Sequence, residues 1–276
     1  MTLPWELRAD EVPLRGDRFW GFRRGEGAQA IVLLHASICD SRIWRPLGDL
    51  MGADDVVLYG YDRPGFGGTP APSAPHSVED LLEVIDTEGL ERVTLVGNSM
   101  GGGIALAFAA LHPERVERLV VIAPALPGAP ELDTINPLEL ACIARYEAAQ
   151  GSSNDDELVE VLLEIWLDGP LFRAPRVIPA LRDQLRVMLH PIARRLEQAD
   201  GDLFLMDLDT ELAHLPMPVL SLVGSLDFSQ EIANAERVAR RARRGRNIVL
   251  ADRAHLPHFE DPSSVRELLV EFCATT

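Results

Sequence analysis

The chain contains no lysine: all 26 of its basic residues are arginines, set against 43 Asp and Glu for a formal net charge of −17. That deficit of positive charge argues against nucleic acid or an anionic membrane surface as a partner. Cysteine is scarce as well. Cys39, Cys142 and Cys273 are odd in number, far apart and without CxxC spacing, which argues against a disulfide framework or a metal module and fits a reducing, cytoplasmic setting. The opening residues, MTLPWELRAD, lack a basic segment followed by an apolar one, so no signal peptide is expected. The longest apolar stretch, Val93 to Leu111, is broken by glycines and reads as a buried strand plus a buried helix rather than a membrane span. No pair among the seven histidines has metal-ligand spacing, so no metal is expected.

What is present is a core-forming pattern. The 276 residues are 47% hydrophobic, enough for one sizeable domain with an insertion. Short β-branched runs at Ala30 to His35, Asp55 to Tyr61, Arg92 to Val96 and Arg118 to Ala123 alternate with helical spacing at Ser41 to Leu50, Val78 to Leu90 and Met100 to His112. This predicts an α/β fold with a mostly parallel sheet and helices on both faces. A hairpin over about Val12 to Arg24 is expected at the sheet edge, and Ser77 with Asp80 reads as a capping box. From Leu126 to Leu215 strand signals vanish, and proline-split helices are expected at Pro137 to Gln150, Asn154 to Leu167, Ala174 to Leu189 and Pro191 to Ala199. Strands return at Pro218 to Val223 and Asn247 to Leu250, with helices at Glu231 to Ala242 and Ser263 to Cys273. The expected organisation is a core of residues 1–125 and 216–276 interrupted by a helical insertion, 126–215, at the carboxyl edge of the sheet, where open α/β sheets bind ligands.

The chemistry concentrates at Gly97-Asn98-Ser99-Met100-Gly101, between the apolar run ending at Val96 and the small-residue run beginning at Gly102. A serine at a strand-to-helix corner is exposed, but its hydroxyl is a weak nucleophile unless a base stands nearby. Asp227 and His255 each follow one of the last two strands through a short loop, so the order serine, acid, base along the chain is that of one known catalytic constellation. The imidazole would accept the Ser99 proton, and the carboxylate would fix its tautomer. A turn or helix-capping aspartate is the alternative reading of Asp227, and Asp252 is a fallback acid on the histidine's own loop. His258 competes with His255 for the base. The cluster Arg237 to Arg246 reads as a solvated helix face, and Asp62-Arg63-Pro64-Gly65 as a structural turn.

With these residues placed, the chain resembles the α/β-hydrolase superfamily from about Arg18 to Phe272. The resemblance is carried by His35 to Trp44, Tyr61 to Gly68, Gly97 to Gly102, Val223 to Asp227 and Ala254 to Pro262, in the family's order and spacing. It implies that the insertion caps the site, that Ser99, Asp227 and His255 form the triad with His255 rather than His258 as base, and that the backbone N–H groups of Ser37 and Met100 hold the oxyanion. Ile38, Cys39 and His258 are candidate pocket residues, and His35 a structural residue beneath the oxyanion loop. His35-Ala36 and Ala254-His255 stand where many members have glycine beside the histidine.

The leading expectation is a cofactor-independent serine hydrolase of a small-molecule carboxylic ester or lactone, with side reactions of the perhydrolase or haloperoxidase kind compatible with it. A serine at the elbow argues against dehalogenase or epoxide-hydrolase chemistry, which in this superfamily uses aspartate there. The elbow also resembles that of carbon-carbon bond hydrolases of ring-fission diketones, but the glycine-rich loop of those enzymes is missing after His35. A silent member that only binds a small ligand is the alternative of a different class. The oligomeric state is not readable from sequence.

Overall fold

The computed structural model describes residues 12–15, 18–52, 55–71, 76–172, 174–196 and 203–274. Eight strands form one sheet: β1 (Val12–Pro13), β2 (Trp20–Arg24), β3 (Gln29–Leu34), β4 (Val56–Tyr61), β5 (Val93–Asn98), β6 (Val116–Ile122), β7 (Val219–Gly224) and β8 (Gly245–Leu250). Their order is β1-β2-β4-β3-β5-β6-β7-β8. The first two strands are antiparallel, as the edge hairpin requires, and β3 to β8 run parallel.

Strands β4, β5 and β7 are buried at every position, which is why they read as continuous apolar runs rather than alternating ones. The pleat sends successive side chains to opposite faces. Ile31 and Leu33 join Leu47 and Leu269 on one face, while Val32 and Leu34 join Val84 and Leu106 on the other. Leu47, Val84 and Leu106 come from the helices α1 (Arg45–Met51), α2 (Ser77–Thr87) and α3 (Met100–Leu111), and Leu269 from the last helix of the chain's described part. From the insertion onward come α4 (Pro137–Gly151), α5 (Asp155–Leu163), α6 (Pro179–Leu189), α7 (Leu208–Glu211), α8 (Ser229–Arg241), α9 (Pro257–Glu260) and α10 (Pro262–Ala274).

The chain leaves β3 for β4 on one side and then crosses to place β5 on the other side of β3. The loops after β3 and β5 therefore diverge and leave a crevice at their carboxyl ends, the usual ligand position in such sheets. Ser37 and Ser99 sit on those two loops.

Helices α4 to α7 fill the chain between β6 and β7. Asn136 caps α4 by accepting from the Leu138 N–H at 2.9 Å, and Asn154 caps α5 by accepting from Glu157 N–H at 3.2 Å. After α5 the chain makes a π turn, Glu164–Asp168. Asp168, buried at its end, pairs with Arg182 of α6, which also reaches Glu160 of α5 at 3.2 Å, so one network joins the three segments.

Several local expectations are corrected. Ser77 is the first residue inside α2 rather than its cap; the cap is His76, without a side-chain hydrogen bond. Asp80 is engaged by Arg18 at 2.6 Å, a partner too distant in sequence for a capping pattern to register. The helix expected from Ala174 begins only at Pro179, because a proline suits the first helical position and the residue before it stays extended. Of the helix expected over Pro191 to Ala199, the described residues 191–196 form only a short 3₁₀ turn, Ala193–Arg195, and residues 197–199 lie outside the described ones. Helix α7 was not expected. The arginine cluster keeps a solvated face, with Arg240, Arg243, Arg244 and Arg246 exposed, while Arg237 pairs with Asp209, whose main-chain oxygen accepts from Arg241 Nε at 3.0 Å.

The corner between β5 and α3 explains its own glycines. A Cβ on Gly101 would lie 2.4 Å from the Leu34 carbonyl oxygen and 2.6 Å from that of His35, and one on Gly97 would lie 2.3 Å from the Gly101 oxygen. Backbone cannot yield as a flexible side chain does. Gly101→Ala is expected to lower the free energy of unfolding by about 3 kcal/mol or more, read as a reduced denaturant midpoint. An unchanged midpoint would show that the β3 and β5 loops are not locked together there.

Candidate active site

Ser99 is one of three non-glycine residues with positive φ among the described residues, at φ 54° and ψ −120°. That region strains a side-chain-bearing residue, and such strain persists only where the surroundings enforce it. Here the Ser99 N–H donates to Ile122 O at 2.8 Å, and its carbonyl accepts from Gly103 N–H at 3.0 Å and Ala125 N–H at 2.9 Å. The result is a side chain held at the head of α3, facing a cavity.

The His255 imidazole approaches the same cavity from the loop after β8. Its Nδ1 lies 2.7 Å from Asp227 Oδ2, both side chains being nearly inaccessible to solvent. Asp227 also accepts from Phe228 N–H at 2.8 Å through Oδ1, which orients the carboxylate toward the ring. Burial alone would lower the His255 pKa, but the charge and hydrogen bond of Asp227 raise it above the ordinary imidazole value. The structure thus brings the predicted acid and base together. Asp252 is exposed and serves instead through its N–H, donated to Ser225 Oγ at 3.0 Å.

Three further residues hold the histidine and its loop. Asn98, buried at the end of β5, donates through Nδ2 to Ile122 O at 3.0 Å and to His255 O at 3.1 Å, joining the serine strand to the histidine loop. Trp166, on the π turn of the insertion, lies with its ring centre 4.4 Å from that of His255. Glu260 accepts from Ala254 N–H at 2.8 Å and pairs with Arg176 of the insertion. Arg176 also donates to Leu167 O at 2.7 Å and Asp252 O at 3.0 Å.

The cavity has a volume of about 680 Å³, in the range of small-molecule sites. Ser37, Ile38, Ser99, Met100 and His255 line it from the core. The insertion contributes Ile143, Tyr146, Leu162, Ile165 and Trp166. Met100 is the first residue of α3, where backbone N–H groups lack partners within the helix and suit a developing negative charge.

Cys39 and His258 lie behind this wall rather than on it. Cys39 is fully buried, its thiol donating to Ala36 O at 3.7 Å. His258 stacks on Trp44, with ring centres 4.0 Å apart, and burial followed by the proximity of His255 pushes its pKa down to about 3. A group so weakly basic and so enclosed is a poor alternative to His255. His35 accepts from Arg63 N–H at 3.0 Å through Nε2, so its protonated Nδ1 donates to Ala36 O at 2.7 Å; burial and Arg63 keep it neutral. It braces the loop that carries Ser37. Asp62 accepts from Ser41 N–H at 2.9 Å and Gly68 N–H at 2.8 Å, holding the neighbouring turn.

Asn98, Trp166, Arg176 and Glu231 were not singled out from sequence. Asn98 alone left a signal: an amide inside an otherwise apolar buried strand needs partners.

A parallel sheet with a strained serine at a strand-helix corner and a buried Asp-His pair at the ends of two later strands defines a hydrolase-type α/β architecture. A model of the alpha/beta hydrolase family matches residues 31–268, and the chain belongs to that family. Its relatives include the pimeloyl-[acyl-carrier protein] methyl ester esterase of Aeromonas hydrophila, 28% identical over 260 residues, covering 91% of this chain and 97% of that protein. Among solved structures, the enol-lactonase of Burkholderia xenovorans LB400 superposes with a TM-score of 0.72 at 23% identity, over 96% of this chain and 100% of that one. The 2-hydroxy-6-oxo-6-phenylhexa-2,4-dienoate hydrolase of Rhodococcus sp. strain RHA1 does so with a TM-score of 0.68 at 21% identity, over 96% and 98%. These two likenesses establish the fold. Among the described residues no helix is long and apolar enough to cross a membrane.

Proposed function

We propose that this chain is a serine hydrolase of carboxylic esters or lactones. The observation that carries the reading is the 2.7 Å His255–Asp227 contact on the same cavity as the strained Ser99; the esterase relative at 28% identity supports the choice of bond. In this reading Ser99 Oγ attacks the substrate carbonyl while His255 Nε2 takes its proton, and Asp227 stabilises the imidazolium. The oxyanion is held by the N–H groups of Ser37 and Met100. The protonated imidazole then passes its proton to the departing alcohol oxygen, leaving an acyl group on Ser99. Water, deprotonated by His255, releases the acid and restores the serine.

Residues 126–215 act as a cap in this reading. Their apolar side chains roof the cavity, exclude bulk water and shape the acyl or alcohol site, and Trp166 covers the imidazole face. No group beyond the chain's own residues is needed for these steps.

A fluorophosphonate probe tests the nucleophile directly. The expected result is one covalent adduct, located by peptide mass spectrometry on Ser99 and lost after Ser99→Ala. Absence of labelling, or labelling elsewhere that survives the substitution, rejects the serine mechanism.

A further inference from the structure

Among the described residues the cavity wall carries Glu131, Glu139 and Glu231 but no arginine, and the chain has no lysine. A substrate bearing a carboxylate would be desolvated against like charges with no cation to pair with. The polar groups of this wall differ in how far they are committed. Glu139 is occupied, accepting from Ser229 N–H at 2.9 Å and Ser229 Oγ at 2.7 Å. Gln230 accepts from Leu132 N–H at 2.9 Å and donates to Pro130 O at 3.2 Å and Asn234 Oδ1 at 2.9 Å. Glu231 is different: it lies on the first turn of α8, four residues after Asp227, and its Oε2 is sealed from solvent without a hydrogen-bond partner.

That enclosed oxygen is out of a substrate's reach, but among the described residues no hydrogen bond engages Oε1 either, and Glu231 lines the cavity, so a carboxyl without a partner stands beside the space a substrate would fill. We propose that Glu231 is a specificity-determining residue whose carboxyl donates a hydrogen bond to a second oxygen function of the substrate. The site would then select uncharged esters or lactones carrying a ketone, ether or similar acceptor, and reject carboxylate-bearing ones. Burial and the neighbouring charge of Asp227, only partly offset by His255, raise the Glu231 pKa to about 8, so at neutral pH the proton to be donated is present. This assignment rests on the hydrolase reading and adds the chemical class of the substrate.

The test compares kcat/KM at pH 7 for three p-nitrophenyl esters of matched length: valerate, levulinate with its ketone, and hemisuccinate, where a carboxylate replaces the acetyl end. Wild type is expected to favour levulinate over valerate by about five-fold or more, the scale of one net hydrogen bond, and to turn over hemisuccinate at least about ten-fold less efficiently than levulinate. Glu231→Gln, which retains a neutral donor, keeps a levulinate-to-valerate ratio above one, and Glu231→Leu brings it to about one or below.

A wild-type ratio near one, hemisuccinate matching levulinate, or an undiminished ratio in Glu231→Leu overturns the assignment. So does a wild type inactive on levulinate. In every such case fluorophosphonate labelling separates the two levels: labelled Ser99 leaves the hydrolase reading standing and removes only Glu231, whereas unlabelled Ser99 removes both.

Discussion

Ser99→Ala and His255→Ala are each expected to reduce kcat for p-nitrophenyl butyrate by about 10⁶-fold, with the double variant hardly worse than either. The reason is that in the proposed mechanism serine and imidazole act as one unit. Without Oγ there is no covalent intermediate, and without Nε2 the hydroxyl stays protonated. The residual rate, about 10³- to 10⁴-fold over water, would come from the oxyanion donors and binding, which neither substitution touches. Ser99 lines the cavity and its variant should unfold near the wild-type temperature, whereas His255→Ala leaves the buried Asp227 carboxylate without its partner and should unfold at a lower one; thermal denaturation beside the assay fixes a temperature at which both remain folded. A folded Ser99→Ala enzyme with wild-type turnover refutes the proposed mechanism, and additive losses in the double variant refute the coupling.

Asp227→Asn is expected to cost about 10⁴-fold in kcat while leaving substrate binding little changed. The carboxylate stands 2.7 Å from Nδ1. An amide of the same shape can present its N–H₂ to that nitrogen, which places the imidazole proton on Nε2 and aims a donor at Ser99. The pH profile provides a second readout. Because Asp227 is a major cause of the raised His255 pKa, the acid limb of wild-type kcat/KM should have its midpoint above about 6.5, the unperturbed imidazole value. The direction follows from the role: the base works only unprotonated, so activity is lost as pH falls through the raised pKa. The asparagine variant should move that midpoint downward. An acid limb at or below the ordinary value in the wild type, or a full-rate Asp227→Asn enzyme, would show that the carboxylate does not serve the histidine.

The strands and the Ser99 corner were legible because chain-local rules govern them. Continuous apolar runs mark doubly buried strands, and the close approach of Gly97 and Gly101 to neighbouring backbone admits no side chain. Asp227 was less legible, since an aspartate just before a helix has two readings until its partner is known; the contact with Nδ1 is a long-range fact. Trp166 was hidden for a different reason. It projects from a π turn, and that departure from α spacing lies inside a stretch whose apolar periodicity reads as one continuous helix from Asn154 to Leu167. Cys39 illustrates the opposite error: adjacency to the Ser37 loop in sequence suggests a pocket residue, but its thiol turns inward beneath the wall. Glu231 could not be distinguished from any exposed glutamate on the first turn of a helix, because what sets it apart is the missing partner of one oxygen.

Arg176 gives the insertion a mechanical relationship to the base. A single guanidinium donates to Asp168 O and Leu167 O on the roof and to Asp252 O on the histidine loop, and it pairs with Glu260, whose other oxygen holds the Ala254 N–H beside His255. Arginine's planar fork can serve these acceptors together, as a lysine's point charge cannot. Under the proposed function the insertion is thereby tied to the proton acceptor. Any motion that lifts Leu167 and Asp168 away from the core must first release Asp252 and Glu260 or drag them along, so under the proposed function admitting a substrate and aligning the imidazole would be two ends of one lever.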